Sequence, residues 1–387
     1  MYISLGRILV LVALISFYAC LQGYFYLSAL GRIITKKTGR KIPFKLFYWP
    51  LAFLAAGLYF FSRYSSGGLR HVFGFVSSYW GLMLFIPFFI AADILIIWNF
   101  FSRKTKRPPR GPSAFNPRTR MAALVLAFLT IAAGSFWAQN AKVVNYSVTI
   151  EKPLPEKGLR LILISDTHIG GMVRKKEIVR LVSQINALDG DIVLIAGDII
   201  DRNLDTYKNE NLNEELIGIR AAMGVFAAPG NHDYFGGNIH ELKEQLAVAG
   251  INLLIDEAAP LDGVYVIGRN DYLSGRWGMR RLPLGELTAG LDPSLPIIVI
   301  DHQPVNLGEA EAAGIDLQVS GHTHGGQIWP IHLVTRRFFE NAYGLFYKGK
   351  TAVVVTSGYG TWGPPLRMGT RAEIVRIELK SSVVSEP

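Results

Sequence analysis

The chain has 387 residues, half of them hydrophobic, and carries 40 basic and 30 acidic residues, a formal net charge of +10. Residues 1–138 hold 16 of the basic residues and a single acid, Asp93, whereas the remaining residues are net acidic. The positive charge therefore belongs to the N-terminal part and is not a sign of nucleic-acid binding. Cys20 is the only cysteine, which excludes a disulfide framework.

Four apolar stretches in the N-terminal part are each close to the length of a membrane-spanning helix. They cover about residues 8–30, 46–62, 72–101 and 121–138, and about 20 apolar residues are enough to cross the hydrocarbon core of a bilayer. The sequence therefore predicts an all-α region of four transmembrane helices over residues 1–138, followed by a linker at 139–158. Asp93 lies inside the third stretch. It is either a functional carboxylate or, as we favour, a residue that lies near the end of its helix or bonds to a neighbouring helix.

The distribution of basic residues between these stretches predicts their orientation. The segments 31–45 and 102–120 contain six and seven basic residues, whereas the segment 63–71 contains two. Lys and Arg accumulate on the cytoplasmic side of a membrane. We therefore expect an integral protein of a bacterial-type cell membrane, with everything after residue 139 outside the cytoplasm. A cleaved signal peptide is the alternative for the first stretch, which its length and the lack of a small-residue cleavage site disfavour.

From residue 159 onward, strand and helix patterns alternate. Short β-branched and apolar runs predict strands, and they are "LRLILIS", "DIVLIAG", "GVFAAPG", "INLLI", "VYVIG", "PIIVI", "DLQVSG" and "AVVVTS". Helical spacing of apolar residues is found at 173–188, 212–222, 238–249 and 306–313. The last run, "AEIVRIEL", alternates as a half-exposed edge strand would, and residues 381–387 are predicted to be a tail. This alternation is typical of an α/β layer fold.

Five of the predicted strands end in Asp, Asn or His. The residues that follow these strands are Asp166, His168, Asp198, Asp201, Asn231, His232, Asp233, His302, His322 and His324. Functional groups of α/β folds collect at the carboxyl ends of the strands. We therefore expect these side chains to converge on one site.

The chemistry of this set favours metal ions. Carboxylate, imidazole and amide groups without thiolates suit Mn, Fe or Zn rather than a cysteine-rich structural zinc site. Seven candidate ligands are too many for one tetrahedral ion and fit two, with Asp198 as the bridging carboxylate; they are Asp166, His168, Asp198, Asn231, His302, His322 and His324. Paired divalent ions clamp a phosphoryl group and activate a water molecule.

The blocks "DTH", "GDIID", "GNHD" and "GHTHGG" resemble the signature of the calcineurin-like metallophosphoesterase superfamily, over about residues 159–380. The resemblance implies a four-layer α-β-β-α sandwich with the metals at its strand ends. It implies that one ion is held by Asp166, His168, Asp198 and His324, and the other by Asp198, Asn231, His302 and His322. It also implies that His232 contacts the phosphate or protonates the leaving group, with Asp201 or Asp233 orienting it.

Two further segments, "GHTHGGQIWP" and "SGYGTWGPPLRMGTRAEI", resemble the membrane-associated branch of this superfamily, which includes transmembrane metallophosphoesterases and relatives of UDP-2,3-diacylglucosamine pyrophosphatase. Arg367 then binds the substrate or, equally, forms a salt bridge at the surface. Trp362 forms a wall of the substrate pocket or packs within its loop. Gly358, Gly360 and Gly363 are expected to let a loop approach the metals. The segment "GRNDYLSG" departs from the branch, which more often has paired acids there.

We therefore predict a membrane-anchored, dinuclear-metal phosphoester hydrolase in which metal-bound hydroxide attacks phosphorus. The predicted substrate is a lipid-linked or head-group phosphoester, and no nucleic-acid partner is expected because the catalytic part is acidic. One alternative is a UDP-2,3-diacylglucosamine pyrophosphatase-type enzyme of lipid A synthesis, and another is a non-catalytic membrane scaffold or sensor. The oligomeric state stays open.

Overall fold

The structure, a computed structural model, describes Pro50 and residues 117–383 apart from 172, 203, 236–237 and 364. The chain divides into two compact units, Met1–Gly134 and Ser135–Pro387. Among the described residues, no helix has both the length and the apolar character that crossing a membrane requires. The predicted spans 8–30 and 72–101 lie outside the described residues, as does 46–62 apart from Pro50. These three spans stay a prediction, and the fourth, 121–138, lies within the described helix Pro117–Gln139, to which the finding on membrane crossing applies.

Eight α-helices lie in the described part of the chain. They are α1 (Pro117–Gln139), α2 (Lys175–Asn186), α3 (Asp205–Asn209), α4 (Asn213–Leu216), α5 (Ile239–Val248), α6 (Leu284–Thr288), α7 (Leu307–Ala312) and α8 (Ile331–Phe338). The predicted spacing holds in α2, where Ile178, Leu181, Val182 and Ile185 are buried on one face. Helix α5 begins at Asn238, whose side chain accepts a hydrogen bond from the main chain of Glu241.

Twelve strands form two six-stranded sheets. They are β1 (Lys142–Ile150), β2 (Leu159–Ile164), β3 (Ile192–Ala196), β4 (Val225–Ala228), β5 (Ile251–Leu253), β6 (Glu257–Leu261), β7 (Val264–Gly268), β8 (Ile297–Ile300), β9 (Leu317–Ser320), β10 (Gly344–Lys348), β11 (Thr351–Val355) and β12 (Glu373–Ser381). The first sheet has the order β1-β12-β2-β3-β4-β5 and the second β10-β11-β9-β8-β7-β6. Strands β2 to β5 are parallel in the first sheet, as are β7, β8, β9 and β11 in the second. Their carboxyl ends therefore share one edge of each sheet.

The core follows the two-residue period of the strands. Leu161 and Leu163 pack with Val266, Ile298 and Val319 of the second sheet. The alternate residues of β2 pack on helix side chains of α2 instead. Apolar side chains of α6 and α7 cover the outer face of the second sheet. The predicted mixed α/β fold is confirmed, with two sheets and helices packed against them.

Three features differ from the sequence prediction. Strand β1 lies in the segment predicted as a linker, and it pairs in parallel with β12 over nine residue pairs. Strand β12, predicted as an edge strand, lies inside the first sheet between β1 and β2. The helix predicted at 212–222 is limited to Asn213–Leu216. The edge prediction for β12 was wrong because a charged residue can be buried when it is hydrogen-bonded, and the buried Glu373 accepts hydrogen bonds from the hydroxyl groups of Tyr343 and Thr356.

Candidate metal centre

The polar residues singled out in the sequence lie in the loops that follow the parallel strands. Asp166 and His168 follow β2, Asp198 follows β3, and Asn231 follows β4. His302 follows β8 of the second sheet, and His322 and His324 follow β9. The two sheets pack face to face through their shared apolar core. The strand ends of both sheets therefore bring these side chains together.

The backbone of this region is strained. Five of the seven candidate ligands have left-handed backbones, with φ between 47° and 66°; they are Asp166, His168, Asp198, His322 and His324. Such a conformation costs about 1–3 kcal/mol for a residue other than glycine. Main-chain bonds hold it in place, since His168 N donates to Asp198 O at 3.0 Å and Asp166 N donates to Gly197 O at 3.0 Å.

Glycines allow the close approach of loops around the carboxylates. A Cβ atom at Gly230 would overlap the Asp198 carboxylate, and one at Gly358 would lie 2.8 Å from Cβ of Asp166. A Cβ at Gly360 would overlap the main chain of Asp166 and Thr167. The expected approach of this loop is confirmed for Gly358 and Gly360. Gly363 faces open space, and its φ of 69° serves a turn.

One group of candidate ligands comprises Asp166, His168 and His324. His324 Nε2 lies 3.3 Å from Asp166 Oδ1, and His168 Nε2 lies 3.2 Å from His324 Nε2 and 3.9 Å from Asp166 Oδ1. Two ligands bound at about 2.1 Å and separated by a tetrahedral angle lie about 3.4 Å apart. The spacing of these three side chains therefore suits a common cation.

A second group comprises Asp198, His302 and His322, whose ligand atoms lie within 4.8 Å of one another. His302 Nε2 is 3.3 Å from Asp198 Oδ2, and the same oxygen is 3.8 Å from His168 Nε2 of the first group. Asp198 therefore lies between the two groups, where a bridging carboxylate is required. Asn231 is also buried there.

His302 Nε2 of the second group and Oδ1 of Asn231, which follows β4, are both buried and have no hydrogen-bond partner. His302 Nδ1 donates to the carbonyl oxygen of Ala196 at 2.7 Å, which orients the ring and directs Nε2 into the group. Unpaired buried polar atoms are costly unless a ligand satisfies them. Both observations fit a metal ion bound at these atoms.

The electrostatics of three of the four candidate histidines support this fit, whereas the neighbouring Asp198 outweighs burial and raises the pKa of His302. Burial lowers the pKa of His168 and His324, and burial together with the charge of His302 lowers the pKa of His322 to about 3. Neutral imidazole is the form that binds metals. Burial alone would raise the pKa of Asp198, but the neighbouring His302 outweighs it and the pKa falls.

His232 lies beside both groups and is held by Asp201. Its Nδ1 donates to the Asp201 carbonyl oxygen at 2.8 Å and lies 3.4 Å from Asp201 Oδ1. Burial opposes the charged imidazole, but the bonds to Asp201 raise the pKa of His232 to about 9. The main-chain N–H of His232 also donates to Asp198 Oδ1 at 2.8 Å. The contacts with Asp201 therefore favour the protonated form of His232 and fix its ring next to the candidate ligands.

Asp233, the other predicted partner of His232, is engaged elsewhere. Its buried carboxylate accepts hydrogen bonds from the main chain of Ile200 at 2.9 Å and of Gly230 at 2.8 Å. It therefore joins the loops after β3 and β4. Of the two carboxylates expected to orient His232, only Asp201 contacts its ring.

Arg367 is not a surface salt bridge, because it is fully buried. Its Nη2 donates to the carbonyl oxygens of Ser357, Gly358 and Gly360 at 2.6 to 3.0 Å and lies 3.5 Å from His324 Nδ1. The predicted surface salt bridge was wrong, since an isolated Arg in a loop gives no sign that main-chain carbonyls surround it, and the predicted contact with substrate stays a prediction. Burial lowers its pKa to about 10.

Trp362 is half exposed. The side-chain amide of Gln327 donates a hydrogen bond to the main-chain oxygen of Trp362 at 2.9 Å and accepts one from its main-chain N–H at 3.2 Å. Its predicted role in the substrate pocket stays a prediction.

Sequence reasoning missed a partly buried network beside the site, which we call the arginine network; it comprises Arg269, Arg281, Asp301 and Glu309. Arg281 donates to both Asp301 oxygens at 2.6 and 3.1 Å, and Arg269 bridges Asp301 and Glu309. The available signal was the acid immediately before His302. Ser165 was also missed, although its hydroxyl donates to Asp166 Oδ2 at 2.7 Å.

Comparison with known proteins agrees with this geometry. The calcineurin-like phosphoesterase family matches residues 159–326. An uncharacterised metallophosphoesterase of Helicobacter pylori J99 is 31% identical over 264 residues, which cover 66% of this chain and 70% of the relative. A transmembrane protein with metallophosphoesterase domain from Danio rerio is 32% identical over 68% of this chain and 63% of its own length.

An uncharacterised metallophosphoesterase of Campylobacter jejuni is 29% identical over 77% of this chain and 80% of its own length. The matched region contains the strand ends and every candidate ligand described above. The chain therefore belongs to the calcineurin-like metallophosphoesterase family, a class of phosphoester hydrolases that typically bind divalent metals.

Proposed function

We propose that the protein is a membrane-anchored, two-metal hydrolase of a lipid-linked or head-group phosphoester. The observation that carries this proposal is the position of Asp198 between two groups of buried ligand atoms. A bridging carboxylate with ligands on both sides is the arrangement that paired divalent ions require.

The donor atoms support the following assignment of ligands. One ion is held by Asp166, His168, Asp198 and His324, and the other by Asp198, Asn231, His302 and His322. Oxygen and nitrogen ligands favour Mn, Fe or Zn. The unpaired Asn231 Oδ1 and His302 Nε2 are the atoms that most need such a partner.

When bound, such ions supply an activated water molecule and neutralise the charge of the phosphoester. The chain supplies the proton for the leaving group through His232, which its raised pKa keeps charged at neutral pH. Asp201 fixes the ring of His232 through the bond at Nδ1, which leaves Nε2 to face the substrate. Proton donation by a positioned side chain contributes about 10²–10⁴-fold to a rate.

The membrane part of the proposal is supported by the four apolar stretches of the N-terminal 138 residues and the basic segments between them. A relative carries the name of a transmembrane protein. We propose that the metal centre lies on the extracytoplasmic side of the membrane, near its surface, where the phosphoesters of lipids are located. The predicted four-layer sandwich belongs to the same proposal and is supported by apolar clusters on both faces of each sheet.

The alternatives have no separate support among the described residues. A scaffold without turnover disagrees with the membership of the chain in a hydrolase family. No contact of the described site favours a nucleotide-linked lipid over another phosphoester.

Purified full-length protein should release p-nitrophenol from bis(p-nitrophenyl) phosphate when Mn²⁺ is added, and Asp198→Asn should abolish this release. Metal content measured by mass spectrometry should be two ions per chain, which is a readout independent of turnover. Extracted lipids then serve as substrates for the same protein. Two bound ions without turnover would refute the hydrolase, and turnover restricted to soluble phosphoesters would refute the lipid substrate.

A further inference from the structure

Helix α8 follows the metal-site loop directly, and its side chains are not covered by other described residues. None of its residues is buried, and Leu333 and Phe338 are 59% and 79% exposed. Ile331, Val334 and Phe338 are spaced by three and four residues, so they lie on one face of the helix. Large apolar side chains in such a row, open to solvent, usually mark an interaction surface. We call these three residues, Ile331, Val334 and Phe338, the apolar face of α8, and Leu333 is exposed on another side of the helix.

The helix is held firmly at the rim of the metal centre. The main chain of His332 packs so closely on Gly326 that a Cβ atom at that glycine would overlap it. Phe339, directly after the helix, packs its ring on His322 with the centroids 5.8 Å apart. Trp329, just before the helix, is 44% exposed. A partner that covers α8 would therefore lie next to the candidate ligands.

The charge of this surface is positive. Arg336 and Arg337 are exposed in the last turn of α8, and neither forms an ion pair with a residue that the structure describes. The nearest acid along the chain, Glu340, is paired with Lys348 at 2.7 Å. This concentration of basic charge contrasts with residues 139–387, which are net acidic. An anionic partner would complement the helix.

We propose that α8 is an interfacial helix that seats the rim of the metal centre on an anionic lipid surface, an inference that rests on the lipid substrate of the proposed function. A helix with an apolar face and basic residues binds in the plane of the membrane interface, with its apolar side chains among the acyl chains. Tryptophan is enriched at this depth, and Trp329 and Trp362 are both exposed near the helix. Long Arg side chains can reach the head groups from there. This contact brings a head-group phosphoester to the site without removing the lipid from the bilayer.

The test measures the depth of α8 in a membrane. The full chain carries Cys20→Ser, which removes its only cysteine, and Val334→Cys, labelled with a fluorophore. It is reconstituted into vesicles of phosphatidylcholine and phosphatidylglycerol that contain a lipid with a nitroxide on its acyl chain. The control is Val248→Cys, which is 63% exposed at the end of α5 and lies next to the start of β5, away from the carboxyl ends of the strands that carry the candidate ligands.

We expect the label at position 334 to be quenched about threefold more strongly than the label at 248. Replacing both arginines, by Arg336→Gln and Arg337→Gln, should reduce the quenching by about half, and Arg336→Lys with Arg337→Lys should restore it. Quenching that is equal at the two positions would overturn the proposal, as would quenching that does not depend on phosphatidylglycerol. Protection of the 334 label from aqueous iodide without lipid quenching would assign the surface to another segment or a second copy instead.

This measurement does not depend on turnover. A protein without phosphoesterase activity that still shows the quenching would refute the proposed function and leave the interfacial helix standing. An active enzyme without quenching would refute the helix alone.

Discussion

Two clusters of buried and partly buried charged residues lie side by side in this molecule, and they differ in how their hydrogen bonds are satisfied. In the arginine network, two guanidinium groups face the carboxylates of Asp301 and Glu309, so the formal charges cancel. In the metal centre, Asn231 Oδ1 and His302 Nε2 are buried without a hydrogen-bond partner, although His302 Nε2 lies 3.3 Å from Asp198 Oδ2. The arginine network is therefore complete within the protein, whereas the metal centre is not.

The two clusters also differ in backbone conformation. Five candidate ligands have left-handed backbones, whereas Arg269, Arg281 and Asp301 do not. A buried cluster that satisfies itself stabilises the fold, and one that remains unsatisfied and strained indicates a ligand. Burial and charge alone would not separate the two.

The largest expected effect is that of Asp198→Asn. The amide can still accept the hydrogen bond from His232 N but cannot bridge two cations, so hydrolysis should fall by about 10⁴-fold, or ~5 kcal/mol. Metal content should fall with it, while the metal-free variant unfolds in urea close to the parent midpoint. Retention of two ions and full activity would contradict the bridging role.

A substitution in the arginine network should lower the stability of the fold. Asp301→Asn leaves two buried cations with one carboxylate, which should lower the free energy of unfolding by about 3–5 kcal/mol. Urea denaturation measures this loss. Asp189→Asn, which removes an exposed carboxylate paired with Arg160, is the control and should leave the midpoint unchanged. If Asp301→Asn lost metal binding but kept its stability, the arginine network would be part of the metal centre and not a separate structural cluster.

His232→Gln should separate catalysis from metal binding. Removing the proton donor should reduce turnover by about 10²-fold, and metal content should stay at the parent value. The loss should be larger for an alkyl leaving group than for p-nitrophenolate, which needs no proton to depart. Equal losses for the two substrates would exclude proton donation.

The smallest effects distinguish the two carboxylates near His232. Asp201→Asn should lower turnover about tenfold with little change in stability, because the main-chain bond to the ring remains and only the carboxylate charge that favours the protonated imidazole is lost. Asp233→Asn should instead cost about 1–2 kcal/mol of stability, because one of its two main-chain bonds is lost. Paired measurements of kcat and of the unfolding midpoint test both. The reverse assignment of effects would restore Asp233 as the orienting residue.

Much of the fold could be predicted from the sequence because buried strands consist of continuous apolar runs. Strands β1, β6 and β10 were missed, and each lies at the edge of a sheet. Edge strands are covered on fewer sides, so their sequences keep polar residues, and β6 even contains Pro260. Charge also misled the prediction for β12, because a sequence does not show which acids are neutralised after burial.

The candidate site could be predicted more fully than the fold around it. Metal ligands must be Asp, Asn or His, and these types stand out at the ends of apolar strands. The surroundings could not be predicted, because a buried Arg and a solvated Arg look alike in the sequence. Arg367, the arginine network and the engagement of Asp233 all depend on contacts between residues that are far apart in the chain.

The position of β12 has a consequence for the biosynthesis of the protein. This strand, formed by residues 373–381, pairs with both β1 and β2, which are made more than 200 residues earlier. Until β12 has left the ribosome, β2 lacks its neighbour on one side and β1 has no described partner strand. We expect a nascent chain stopped before residue 373 to need a chaperone, although all seven ligands have by then been translated.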